Sequence, residues 1–229
     1  MEFLNNIWTA ISTPNELLIK ICLVFFTIFI EAPLSFSLIN NVFNITSSKK
    51  QKYIYVISTA FIAIIAVFFL EWPFNIALNY ISAFIIIYFV LKMNVIKTII
   101  AALFPSIVFN LVVNLMANPY LDLLHITYEQ NNTIFIYRIP FALLTNLIVF
   151  IFNIVLKYRK ITLNILESFD KKTKSIIALN FIFGFFNIFL QGLLSVKYID
   201  ILPIEFTFFN FIFLLFYFGL SFYSLGKIM

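Results

Sequence analysis

The sequence predicts an all-α fold, a polytopic bundle of transmembrane helices that crosses the bilayer about seven times. Three observations predict it. Of 229 residues, 63% are hydrophobic and 11% charged, against about 25% charged in a soluble domain. Mean hydropathy is +1.05, and a soluble chain of this size still exposes roughly a quarter to a third of its unfolded surface, which this composition would have to fill with apolar side chains. The apolar runs are continuous rather than alternating, the pattern of membrane helices and not of barrel strands.

A bilayer core needs about 20 apolar helical residues, and seven stretches supply them: Leu17 to Ile39, Tyr53 to Leu70, Phe74 to Leu91, Val95 to Met116, Phe135 to Leu156, Ser175 to Val196 and Ile201 to Leu225. No linker divides them, so residues 1–229 read as a single transmembrane domain. The N-terminus has no basic region and its first apolar run is followed by no small-residue cleavage site, so that run is expected to stay as a spanning anchor.

Basic residues near span ends remain cytoplasmic. Lys49, Lys50 and Lys52 follow span one, Lys92 and Lys97 flank the turn after span three, and Lys157, Arg159, Lys160, Lys171, Lys172 and Lys174 follow span five, with Lys227 after span seven. Glu2, Glu16, Glu71, Asp122, Glu129, Asp200 and Glu205 lie on or near the other side. The N-terminus is therefore expected outside and the C-terminus inside, a parity that an odd span number satisfies. The net charge of +5 then serves anchoring against anionic lipid, and nucleic-acid binding is excluded because no basic soluble face exists.

Two connections are long. Ala117 to Ile134 is expected on the outside as a lid or re-entrant loop, with Arg138 just inside the next span. Lys157 to Lys174, with Ile161, Leu163, Ile165 and Leu166 between basic ends, fits either a plain positive-inside loop or a short helix on the inner leaflet.

Soluble-type chemistry is thin. One cysteine, Cys22, and one histidine, His125, leave no disulfide and no metal-ligand cluster, and no cofactor site is expected. The run Gly219 to Lys227 mimics a phosphate loop but has six residues between its glycines and Ile228 where Ser or Thr is required. Asn131-Asn132-Thr133 fits a glycosylation sequon, a pattern common by chance.

Ionisable groups within spans carry more weight, because they cost about 2.5 to 3.5 kcal/mol on insertion scales. In span one, Lys20 is expected to snorkel outward. Glu31 lies eleven residues further on, on the same face but about 16 Å away, and is expected to face the bundle toward Lys92, with Pro33 supplying a kink. Pro105, Asn110 and Asn114 in span four, and Asn180 and Asn187 in span six, offer further interior polar contacts. Gly184, Gly192, Gly219 and Gly226 hint at close helix contact in spans six and seven.

The opening STPNELLIK (Ser12 to Lys20), the basic turn SSKKQKYIYVIS (Ser47 to Ser58), the stretch ITYEQNNTIFIYRIP (Ile126 to Pro140) and the closing FYSLGKIM (Phe222 to Met229) resemble the N-terminal membrane sensor domain of the AgrC- and VirS-like quorum-sensing histidine kinases of the GHKL type in Gram-positive bacteria. The resemblance runs along nearly the whole chain. It implies an extracellular peptide ligand, often a macrocyclic thiolactone or lactone, a homodimer, and signalling to a cytoplasmic kinase. No dimerisation helix, phospho-accepting histidine or ATP-binding box follows Met229, so the chain as given is expected to sense without phosphorylating, through a kinase domain or partner subunit.

On this reading a peptide binds among the outer span ends and shifts the population toward one bundle arrangement. The expected ligand-binding residues are Glu71, Trp72, Asp122, His125, Tyr128, Glu129, Arg138, Tyr198 and Asp200, with Glu31, Pro33 and Pro105 coupling them to the bundle. Two other classes fit the size: the substrate-binding component of a vitamin-uptake complex, and the peptidase that matures such peptides. The peptidase is disfavoured because its cysteine and histidine must share the cytoplasmic side.

Overall fold

The computed structural model of the chain describes residues 2–70, 74–163, 173–175, 177–178 and 181–182. The seventh predicted span, and all of the sixth beyond its first few positions, lie outside these residues, as do Glu71, Trp72, Asn180, Asn187, Tyr198, Asp200 and the four glycines. Among the described residues the elements are helices: α1 (Glu2–Ser12), α2 (Glu16–Phe26), a wide π turn (Thr27–Glu31), α3 (Ala32–Phe43), α4 (Lys49–Phe69), α5 (Phe74–Leu91), α6 (Val95–Leu124), α7 (Tyr128–Thr133) and α8 (Phe135–Arg159).

Four helical segments are long and apolar enough to cross a membrane: Glu16–Phe43, Lys49–Phe69, Val95–Leu124 and Phe135–Arg159. The third predicted span is the shorter α5, whose apolar stretch is Leu78–Leu91. Polar side chains set where these helices begin. Asn15 Oδ1 accepts from Leu18 N at 3.0 Å, and Asn94 Oδ1 accepts from Lys97 N at 2.9 Å. Ser48 with Gln51 forms a reciprocal capping box, as does Thr127 with Gln130, each satisfying two otherwise orphaned donors. Gln51 also donates through Nε2 to Val90 O at 2.8 Å, pinning the end of α5 beside the start of α4, so the two run antiparallel.

Alternating directions sort the charges onto two ends. Leu163 N donates to Val42 O at 2.6 Å, which brings the exit of α8 to the exit of α3. One end therefore gathers Lys49, Lys50, Lys52, Lys92, Lys97, Lys157, Arg159 and Lys160. The far end gathers Glu16, Lys20, Asp122, His125 and Glu129. It is closed by an antiparallel bridge between Pro14 and Ile134 and by Asn15 N donating to Thr133 O at 3.0 Å.

The core is concentrated toward the basic end, where Leu38, Ile39, Ile87, Ile100 and Val149 are fully enclosed. Outward, Phe61, Phe69 and Phe89 are 64%, 77% and 71% exposed. Such a surface is at ease against lipid and costly against water.

One predicted segment differs from expectation, and a second is described only in part. Ala117 to Ile134 is not a loop: α6 runs on to Leu124 and α7 follows after a three-residue break. Asn118 and Asp122 end the apolar run without ending the helix, since a polar side chain does not interrupt the backbone hydrogen bonds. After α8 the described part of the Lys157 to Lys174 segment, through Leu163, is not a helix, and Leu163 is buried against the bundle. Its remainder lies largely outside the described residues.

Candidate functional site

Polar groups of the π turn and of α8 gather about Glu31, and α7 joins them through Arg138. In the π turn, Thr27 Oγ1 donates to Glu31 Oε2 at 3.1 Å, an i,i+4 pair. The Asn146 amide of α8 lies within hydrogen-bonding reach of the Glu31 carboxyl, and Arg138, two turns earlier on α8, is close enough to act on it through charge. Arg138 Nη1 in turn donates to Asn132 Oδ1 of α7 at 3.0 Å. Arg138 thus joins α7 to α8 by a hydrogen bond at the far end and acts on Glu31 of the first long helix through charge alone.

The π turn makes this possible. Ala32 N bonds to Thr27 O, five residues back, and Pro33 lacks the N–H that would restore regular pitch. Wide turns of this kind are frequent at functional sites. Glu31 therefore faces Thr27, Asn146 and Arg138. The expected approach to Lys92 is not found: Lys92 is exposed at the basic end with a left-handed φ of 53°. Lys20 pairs with Glu16 at 2.6 Å on the surface.

A second polar cluster lies toward the basic end. Asn41 Nδ2 donates to Asn153 Oδ1 at 2.8 Å, and Asn153 Nδ2 donates to Ser37 Oγ at 2.9 Å. Both amide ends of Asn153 are thereby satisfied where α3 crosses α8, the arrangement that binds helices together in lipid. Between the two clusters a groove of about 410 Å³ opens, with Phe29, Pro33, Leu147 and Phe150 on its walls and Ser37, Asn146 and Asn153 as its polar lining. Asn146 Nδ2 donates to Ala142 O at 2.8 Å, while its Oδ1, shielded from water, has no partner.

Of the expected ligand-binding residues, Asp122, His125, Tyr128 and Glu129 are exposed at the far end. Tyr128 lies within electrostatic range of Arg138. Glu71, Trp72, Tyr198 and Asp200 lie outside the described residues. Pro33 lines the groove, and Pro105 is buried in α6. Nearby, Tyr80 of α5 is within hydrogen-bonding reach of Ser106 and Asn110. Among the described residues no three of His, Cys, Asp and Glu come together to hold a metal ion.

Sequence reasoning passed over Thr27, Ser37, Asn41, Asn146 and Asn153, and noted Asn132 only as part of a sequon. Their signal was spacing: Thr27 with Glu31 and Ser37 with Asn41 are four apart, and Asn146 with Asn153 seven apart, each pair on one helical face. Compared with protein-family models, with curated proteins and with solved structures, the chain matches none.

Proposed function

We propose that the chain is the membrane sensor of a quorum-sensing two-component system, a seven-span module in the cell membrane with its N-terminus outside and C-terminus inside. It takes an extracellular macrocyclic peptide with bulky apolar residues at the far end and, as a homodimer, signals to a cytoplasmic kinase. The observation that supports this best is the grouping of Asn132, Arg138, Glu31 and Asn146. It ties the exposed far-end segment carrying Tyr128 and Glu129 to a π turn in another spanning helix. The sorting of lysines and arginines onto the opposite end agrees with a cytoplasmic face there.

In this reading the peptide acts by binding one arrangement of the far end more tightly than another, and its leverage equals that difference in affinity. Arg138, held by Asn132 and sensing Glu31 through charge, passes the change to the first helix. Two measurements test it. In intact cells carrying Cys22→Ser, an impermeant maleimide is expected to label His125→Cys and not Lys50→Cys; the reverse pattern overturns the orientation. In nanodiscs, a panel of synthetic macrocyclic thiolactone peptides is expected to give saturable binding that Asp122→Lys and Glu129→Lys weaken. Glu31→Gln is expected to keep that binding and lose the conformational response. A panel without saturable binding overturns the peptide reading.

A further inference from the structure

Helix α1 has no place among the predicted spans, yet it is formed and tied to the bundle. Its eleven residues, about 16 Å of helix, put Ile7, Trp8 and Ile11 on one arc and Asn5, Asn6, Thr9 and Ser12 on the opposite one. Ile7 and Trp8 are 43% and 62% exposed, so the packing against α8 leaves the apolar arc largely uncovered.

Its position says what covers that arc. Only Thr13, Pro14 and Asn15 separate α1 from the start of α2, a helix long and apolar enough, with α3, to cross the membrane. The bridge from Pro14 to Ile134 and the bond from Asn15 N to Thr133 O fix that junction at the entrance of α8, another spanning helix. Two bilayer-crossing segments thus begin within a few residues of α1, and the exposed faces of Leu17, Ile21 and Phe25 continue from it along α2. A helix standing away from the membrane would hold Trp8 and Ile7 in water. Laid along the boundary, it sinks that arc among the upper acyl chains and leaves its amides and hydroxyls in the headgroups. Trp is at home at this depth because one edge of its ring is apolar and the other donates.

We propose that α1 is an interfacial anchor whose partner is the lipid surface at the far end of the bundle, bound through Ile7, Trp8 and Ile11. Among its residues α1 has no Lys or Arg and one acid, Glu2. Its attachment is therefore apolar, and phosphatidylglycerol does not strengthen it. Through Pro14 and Asn15 it holds the α7–α8 junction, and with it the Asn132–Arg138 bond, at a set height above the bilayer. This inference does not rest on the sensor reading, because its readout is Trp8 and no peptide is involved.

The test uses the full chain in phosphatidylcholine nanodiscs with Trp72→Phe, which leaves Trp8 as the sole tryptophan. The expected emission is blue-shifted from that of tryptophan in water and insensitive to aqueous iodide. Bromines high on the acyl chains are expected to quench it more than bromines near the methyl ends, equally with and without phosphatidylglycerol. Ile7→Asp is expected to shift the emission red and open Trp8 to iodide. Water-like emission quenched by iodide overturns the proposal. So does blue-shifted emission that neither iodide nor brominated lipid quenches, which means that protein covers the face. Should Trp72→Phe not fold, a nitroxide at Trp8→Cys in the Cys22→Ser chain reports the same depth: oxygen is expected to relax it more than an aqueous nickel chelate, and the opposite ranking overturns the proposal.

Discussion

On the basic side of the π turn, α3 buries Ala32, Leu34, Phe36, Leu38, Ile39, Val42 and Phe43; on the far side, α2 buries Ile19 and Val24 and no other residue. Helix α6 repeats the contrast, with its buried positions falling between Thr98 and Val108 and none between Phe109 and Leu124. Composition does not explain the difference in α2–α3, where the sparsely buried α2 is as apolar as α3, while the far half of α6 is also the more polar one, with Asn110, Asn114, Asn118 and Asp122. What differs is the number of neighbours that each half meets inside the protein. A region with few buried apolar contacts opens at lower cost than one with many. In α2–α3 and in α6 the half toward the basic end is therefore the more firmly held one, whereas α4 and α8 also bury Ala63, Ala66, Phe141 and Ala142 toward the far end.

Substitutions break or sharpen this contrast. The largest effect is expected for Leu38→Ala, since its side chain is fully enclosed; a loss of about 2–5 kcal/mol, read by denaturant titration in detergent, fits a firmly held half. Asn153→Ala comes next, at about 1–3 kcal/mol, because Asn41 and Ser37 both lose a partner in a partly buried place. Combined with Ser37→Ala, the two losses are expected to be less than additive, as for residues sharing one bond. At the far end, Tyr120→Phe removes a 2.7 Å bond to Tyr137 O while keeping the ring packed on Phe141. A loss of about 1 kcal/mol is expected. Val24→Ala, which removes two methyl carbons at a buried position, is expected to cost about 1 kcal/mol, well below Leu38→Ala. Equal losses at Leu38 and Val24 would erase the distinction between the two halves.

The spanning helices were legible because hydropathy measures what lipid selects, and four of them stand where the apolar runs stand. What it does not measure is where a helix stops. Asn118 and Asp122 interrupt the apolar run while their backbone goes on hydrogen-bonding, so α6 outlasts that run. Helix α1 escaped notice because eleven mixed residues are too few to span, and a search for spans passes over them. The site was legible in one residue and not in its partners. Glu31 stands out by cost alone, but its bearing depends on a π turn that no 3.6-residue period anticipates. Helices rich in Phe and Ile on every side offer no polar stripe from which to infer which neighbour a face meets. Asn146 and Asn153 were visible as letters; that they face α3 was not.

The helix ends carry a last consequence. Asn44, Lys92, His125 and Lys160 all adopt φ between 50° and 54°, closing α3, α5, α6 and α8 in a conformation that glycine takes without penalty. The chain spends none of its four glycines there. His125, which as the chain's single imidazole invites a chemical reading, closes α6 with its backbone N–H, bonded to Asp122 O and Leu121 O. Glycine at these four boundaries is expected to raise the melting temperature without touching the groove or the polar groups about Glu31. This protein, in other words, carries untapped stability in its punctuation, where a crystallographer seeking a more robust variant would look first.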